Sequence, residues 1–179
     1  TGPPYLAHRA FKMGEIAAEH AAGQEVEYDV RALPAAVFTD PEIATTGMSE
    51  SEAEAAGYSV RTGKFMFAAN GRALGVGAPV GFVKTVVSEE SGALLGASIV
   101  GLSASEILAE LTLGVEMGAT AEDIGLTVHP HPTFSEAVQE SALSALGRAI
   151  HAANPRRPAS RRSKPERAGD TGAGSGGKV

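Results

Sequence analysis

Residues 81–117 read GFVKTVVSEESGALLGASIVGLSASEILAELTLGVEM, and three structural habits follow one another within them. Gly81 to Ser88 and Ala93 to Val100 are rich in Val, Ile and other residues that suit a pleated, half-buried surface, and they partly alternate. Glu90-Ser91-Gly92 supplies a turn between them, so the spacing predicts a hairpin over 81–100. Beyond Gly101 the period changes. Ala104, Leu108, Leu111 and Val115 recur at helical spacing, and Ser103-Ala-Ser-Glu106 has the form of a capping box. A helix over 103–117, ending near Gly118, follows. Strands grouped before helices, with short connections, specify an α+β fold class: a small antiparallel sheet with helices packed on it, rather than a wound parallel sheet.

Working outward, Ala35 to Phe38 and Ser59 to Phe67 read as two further strands. Ser49-Glu-Ser-Glu52 is a capping box and Gly57 a stop, which places a short helix over 50–56 between them. At the front, Leu6, Ala10, Met13, Ala17 and Ala21 fall at helical spacing after Pro3 and Pro4, and Gly23 closes that helix. A helix so near Thr1 is expected of an internal segment of a longer chain. A last helix is expected from about Phe134 to His151. The chain then changes character. Residues 1–152 hold 8 basic and 19 acidic side chains, whereas 153–179 hold 7 and 2. The segment 153–179, rich in Pro, Gly, Ser and Arg, buries too little to offset its ordering entropy and reads as a disordered basic tail. It interleaves no aromatic residue among its arginines, so nucleic acid is not an expected partner.

The chain has 179 residues, 43% hydrophobic and 20% charged, a size suited to one domain with an appendage. It contains no cysteine, which excludes disulfides, thiolate metal sites and cysteine nucleophiles within it. No apolar run approaches the roughly 18 residues of a membrane helix, and no charged-then-apolar leader opens the chain. The expectation is a cytoplasmic protein without a membrane partner. Gly75-Val-Gly77-Ala-Pro-Val-Gly81 resembles a dinucleotide loop only at a glance. Its third glycine comes one residue late, and a strand follows it instead of a helix, so it reads as a loop entering the hairpin.

His129-Pro-His131-Pro-Thr-Phe-Ser-Glu136 is the one dense cluster of chemistry. Its prolines stiffen an extended segment that feeds a helix, which suits a positioned side chain. Three readings are open. Thr133 and Glu136 have capping-box spacing, with the glutamate returning to the backbone. His129 and His131 could face one way toward a metal, although no further ligands complete a set. Alternatively, His131 and Glu136 form a dyad: the carboxylate fixes the histidine tautomer and favours imidazolium, leaving the other ring nitrogen for substrate. Capping and dyad are compatible.

His-Pro-His-Pro-Thr-Phe-Ser-Glu, followed by Ala-Val-Gln-Glu-Ser-Ala, resembles the C-terminal signature of the dihydrolipoyl dehydrogenase family, within the FAD-dependent pyridine nucleotide-disulfide oxidoreductases. Val37-Phe-Thr-Asp-Pro-Glu-Ile-Ala-Thr-Thr-Gly47, Phe67-Ala-Ala-Asn-Gly-Arg-Ala73, Leu95-Gly-Ala-Ser-Ile-Val-Gly101 and Leu6-Ala-His8 support the likeness in order along the chain. The resemblance implies that residues 1–23 are the C-terminal helix of an FAD-binding region and 24–152 a dimerisation (interface) domain. It also implies that the flavin and nicotinamide loops and the redox cysteines lie upstream of this segment, so that the isolated chain is inactive. The implied activity is oxidation of dihydrolipoamide with NAD, through FAD and a redox disulfide. The implied assembly is a homodimer that serves a lipoyl-bearing subunit of a 2-oxo acid dehydrogenase or glycine cleavage complex.

By the same resemblance His131 is the general acid/base, Glu136 its carboxylate partner, and the His131–Pro132 bond cis. His129 and Pro130 would shape the flavin surroundings. Leu6, Ala7 and His8 would bring a helix start to the flavin, with the His8 side chain free on the helix surface. Asn70 and Arg72 read as structural, and no metal is expected. The alternatives are a noncatalytic homodimerisation module, to which the apolar stripes alone point equally well, or another flavin disulfide reductase of the glutathione or mercuric type.

Overall fold

A computed structural model describes residues 2–154. Most of the basic segment expected to be disordered lies outside the described residues. Among these residues, five strands form one sheet: β1 (Ala35–Val37), β2 (Ile43–Gly47), β3 (Val60–Met66), β4 (Phe82–Ser88) and β5 (Leu94–Val100), in the order β1-β2-β5-β4-β3. Every neighbouring pair is antiparallel. The expected hairpin is β4–β5, with Phe82 opposite Val100. One strand escapes the sequence reading: β2 turns Ala44 and Thr46 inward, so its buried face is too small and too polar to announce itself.

Among the described residues, six α-helices accompany the sheet: α1 (Ala7–Ala21), α2 (Glu50–Ala55), α3 (Gly71–Gly75), α4 (Ala104–Met117), α5 (Ala121–Leu126) and α6 (Glu136–Ala145). The α4 stripe of Ala104, Leu108, Leu111 and Val115 is buried as the spacing predicts, and α4 packs on β2 and β5. Helix α6 covers β3 and β4, and α5 packs against α6. Phe65, Phe67, Val83, Ile99, Leu111 and Val138 fill the space between sheet and helices. No described helix is long and apolar enough to cross a membrane.

The capping box at Ser49 and Glu52 is present in full, but the one expected at Ser103 is not. Ser103 takes φ 62°, a left-handed geometry in which its hydroxyl cannot cap the helix. Glu42, from the loop between β1 and β2, accepts from the Ser105 N–H and hydroxyl instead, at 3.1 and 2.8 Å. The last helix is also shorter than expected, because Gly147 (φ 71°) ends it. Arg148 N–H reaches Leu143 C=O at 2.8 Å and Gly147 N–H reaches Ser144 C=O at 3.0 Å, the paired bonds of a Schellman stop. The chain from 148 therefore turns back instead of continuing to His151 as helix. Thr120 and Asp123 form a second complete box, which starts α5, a helix the sequence reading passed over.

Gly63 decides how closely α6 approaches the sheet. A Cβ there would run into Ser141 C=O and come within 2.5 Å of Ala145 N, so only glycine lets the helix backbone settle onto β3. Ala137, Ser141, Ala142 and Ala145 are correspondingly small and buried. This contact fixes the position of the helix that carries Glu136.

Candidate functional site

The segment 129–136 enters α6 with the His131–Pro132 bond cis. Asn70 holds it from the opposite side. The Asn70 side chain, 3% exposed, accepts from Ala73 N–H at 2.9 Å to start α3, and its amide donates to Thr133 C=O at 3.0 Å. Phe134 packs on buried Phe67 with ring centroids 5.3 Å apart. Thr133 donates its hydroxyl to Pro130 C=O at 2.6 Å rather than capping α6. Asn70 is thus structural, as the sequence suggests, but the structure it supports is the site.

Glu136 does two jobs with two oxygens. Its Oε1 accepts from His131 Nδ1 at 2.8 Å, and its Oε2 accepts from Thr133 N–H at 2.8 Å. Dyad and half a capping box therefore coexist on one carboxylate. Partial burial pushes the Glu136 carboxyl up, but the Thr133 N–H and the hydrogen bond and charge of His131, with the charge of His151, outweigh it and hold the group below its ordinary value. The carboxylate is 23% exposed, while the His131 side chain is 76% exposed and no described residue engages its Nε2. A fixed imidazole with one nitrogen tied to a carboxylate and the other open can take or give a proton at that open atom.

His129 is arranged differently. Its Nε2 lies 2.9 and 3.1 Å from the two oxygens of Glu110 on α4, and its Nδ1 lies 2.9 Å from Thr127 C=O. Its side chain is 4% exposed. The two histidines thus engage separate carboxylates, Glu110 and Glu136, instead of converging on one point. Gln139 of α6 braces the same stretch by donating to Gly125 C=O and Thr127 C=O.

Leu6, Ala7 and His8 stand apart from this cluster. Their hydrogen bonds run to Pro4, Ala10 and Pro34. His8 is exposed but not free, since its Nε2 lies 2.7 Å from Pro34 C=O and ties α1 to the start of the sheet. No side chain caps the start of α1, and its first turn holds no acidic residue. That positive dipole end suits an electronegative edge such as the one the resemblance assigns to FAD.

Glu140 and His151 were missed by the sequence reading. His151 Nδ1 lies 2.8 Å from Glu140 Oε1, one turn beyond Glu136 on α6. The available signal was the four-residue spacing of the two glutamates.

The fold has counterparts among known proteins. Residues 33–142 match the family model described as the pyridine nucleotide-disulphide oxidoreductase dimerisation domain. The chain belongs to this family. A dihydrolipoyl dehydrogenase of Haloferax volcanii is 56% identical over 151 residues, covering 84% of this chain and 32% of that protein. One from Thermus scotoductus is 50% identical over 152 residues, covering 85% and 33%. The crystal structure of LpdA from Mycobacterium tuberculosis superimposes with a TM-score of 0.74 at 32% identity, over 79% of this chain and 31% of that one. The chain spans about a third of the length of the relatives it matches.

Proposed function

We propose that the chain is the dimerisation and acid/base part of a dihydrolipoyl dehydrogenase, a homodimer that oxidises dihydrolipoamide with NAD. Residues 24–152 form the dimerisation domain in this reading, and residues 1–23 the final helix of the FAD-binding region. The observation that carries it is the Glu136 carboxylate, which holds His131 Nδ1 and leaves Nε2 open. The identity of 50–56% to relatives named for that activity supports it.

His131 takes the proton of the incoming dihydrolipoamide thiol at Nε2, which frees the thiolate to attack the enzyme disulfide. A thiol with a reference pKa of about 8.5 and a histidine of about 6.5 are close enough to exchange a proton readily. Glu136 keeps the ring oriented and balances the charge it acquires. Leu6, Ala7 and His8 would present the start of α1 to FAD, which when bound supplies two-electron transfer between dithiol and nicotinamide. His129 and Pro130 would border the flavin surroundings from the segment that Glu110 braces. In the assembled cell system, the thiol donor is the lipoyl-bearing subunit of a 2-oxo acid dehydrogenase or glycine cleavage complex.

The test uses the dimeric, flavin-loaded enzyme. His131→Gln and Glu136→Gln should each slow dihydrolipoamide turnover while bound flavin and dimer mass stay constant. Unchanged turnover in both variants would remove the dyad from the reaction. Activity toward glutathione disulfide or mercuric ion, but not dihydrolipoamide, would reassign the substrate.

A further inference from the structure

Glu140 lies in the middle of α6 and is 5% exposed. A carboxylate buried so deeply is costly unless several donors hold it. Glu140 has three: Ile150 N–H at 3.0 Å and His151 N–H at 3.2 Å on Oε2, and His151 Nδ1 at 2.8 Å on Oε1. The wiring repeats that of Glu136, where Oε1 meets a histidine Nδ1 and Oε2 a backbone N–H. One histidine precedes the helix and the other follows it.

Both pairs open on the same cavity, of about 240 Å³, whose walls include Asn70, His131, Glu136, Glu140 and His151. With a water's share of liquid volume near ~30 Å³, the space accommodates a short water chain. The backbone bonds to Oε2 are enough to pin the returning chain at 150–151. The bond from Oε1 to the ring does something further, because it fixes the orientation and tautomer of His151. The His151 side chain is 68% exposed, and no described residue engages its Nε2.

The reaction proposed above gives such a group a task. Oxidation of a dithiol by NAD removes two electrons and two protons; NAD takes the electrons with one proton as hydride, and one proton is released per turnover. His131 faces the thiol and must be emptied for each new substrate.

We propose that His151, clamped by Glu140, is a second proton-exchange residue that receives the proton carried by His131 through water in the shared cavity and delivers it to solvent. The proposal rests on the reading of His131 as the acid/base. No bond other than those to the moving proton forms or breaks.

The experiment measures steady-state dihydrolipoamide oxidation by the dimeric holoenzyme in wild-type, His131→Gln, His151→Gln and His151→Ala forms, at low and high imidazole buffer. For His151→Gln, kcat should fall on the order of tenfold, less than the hundredfold or more of a group that meets substrate itself. KM and bound flavin should hold, and imidazole should restore His151→Ala. An unchanged kcat, or a loss that imidazole leaves in place, would overturn the relay. If His151→Ala does not assemble, the buffer dependence of His151→Gln decides. A wild-type enzyme without dihydrolipoamide activity, or with turnover indifferent to His131→Gln, would overturn the underlying reading and the relay with it.

Discussion

His129 and His131 are two residues apart, and each meets a glutamate at hydrogen-bond distance, yet the structure gives them opposite surroundings. His129 is almost fully covered, and both its nitrogens face acceptors. His131 is mostly exposed, and only Nδ1 is engaged. A histidine with no open nitrogen braces its neighbours, whereas one with a fixed ring and an open nitrogen can move a proton. The difference lies in what surrounds each ring, since the residue types are the same.

The largest test of this contrast is catalytic. In the flavin-loaded dimer, His131→Gln should reduce dihydrolipoamide turnover by roughly 10²–10⁴, the range of a positioned acid/base group. His129→Gln should leave more than a tenth of the turnover. Similar losses from both variants would mean that the two histidines do not differ in role.

The next test separates the pairs through their supports. Glu136 rides on α6, which rests on Gly63, while Glu110 rides on α4. Gly63→Val forces α6 off β3 and should destabilise the fold by about 3 kcal/mol, measured by chemical denaturation. Side-chain nitrogen spectra of the surviving folded protein should show His131 disturbed more than His129, which α6 reaches only indirectly, through Gln139 and Thr127. A third and smaller effect is expected of His129→Ala, which removes a covered ring from a half-exposed Glu110. That change should cost about 1–2 kcal/mol of stability, read from the denaturation midpoint.

How much of this was legible in the sequence depends on what each residue bonds to. The β4–β5 hairpin and the α4 stripe were readable because burial imposes a period on local sequence. Glu136 was readable as His131's partner through capping spacing and family resemblance together. The role of Asn70 in holding Thr133 was not, because it joins positions 63 residues apart through an amide with no periodic signature. Ser103 misled for a related reason: the motif has the right letters, but the turn at Gly101 sets a left-handed backbone there and hands the capping to distant Glu42. His151 was read as the end of a helix, and only the Gly147 stop brings it back to Glu140.

The smallest expected effect is in pH dependence. Glu136 is held below its ordinary value of 4.5 in the folded chain. A carboxyl whose pKa is lowered by folding stabilises the fold fully above its unfolded value, and that contribution disappears as pH falls through the folded value. Wild type should therefore exceed Glu136→Gln in unfolding free energy at neutral pH. The gap should close as acid titration passes below 4.5. Denaturation curves of wild type and Glu136→Gln, collected from neutral pH down to about pH 3, measure the gap. A gap that persists undiminished in acid would mean that Glu136 supports the fold through its shape, and that its charge is not what ties His131 in place.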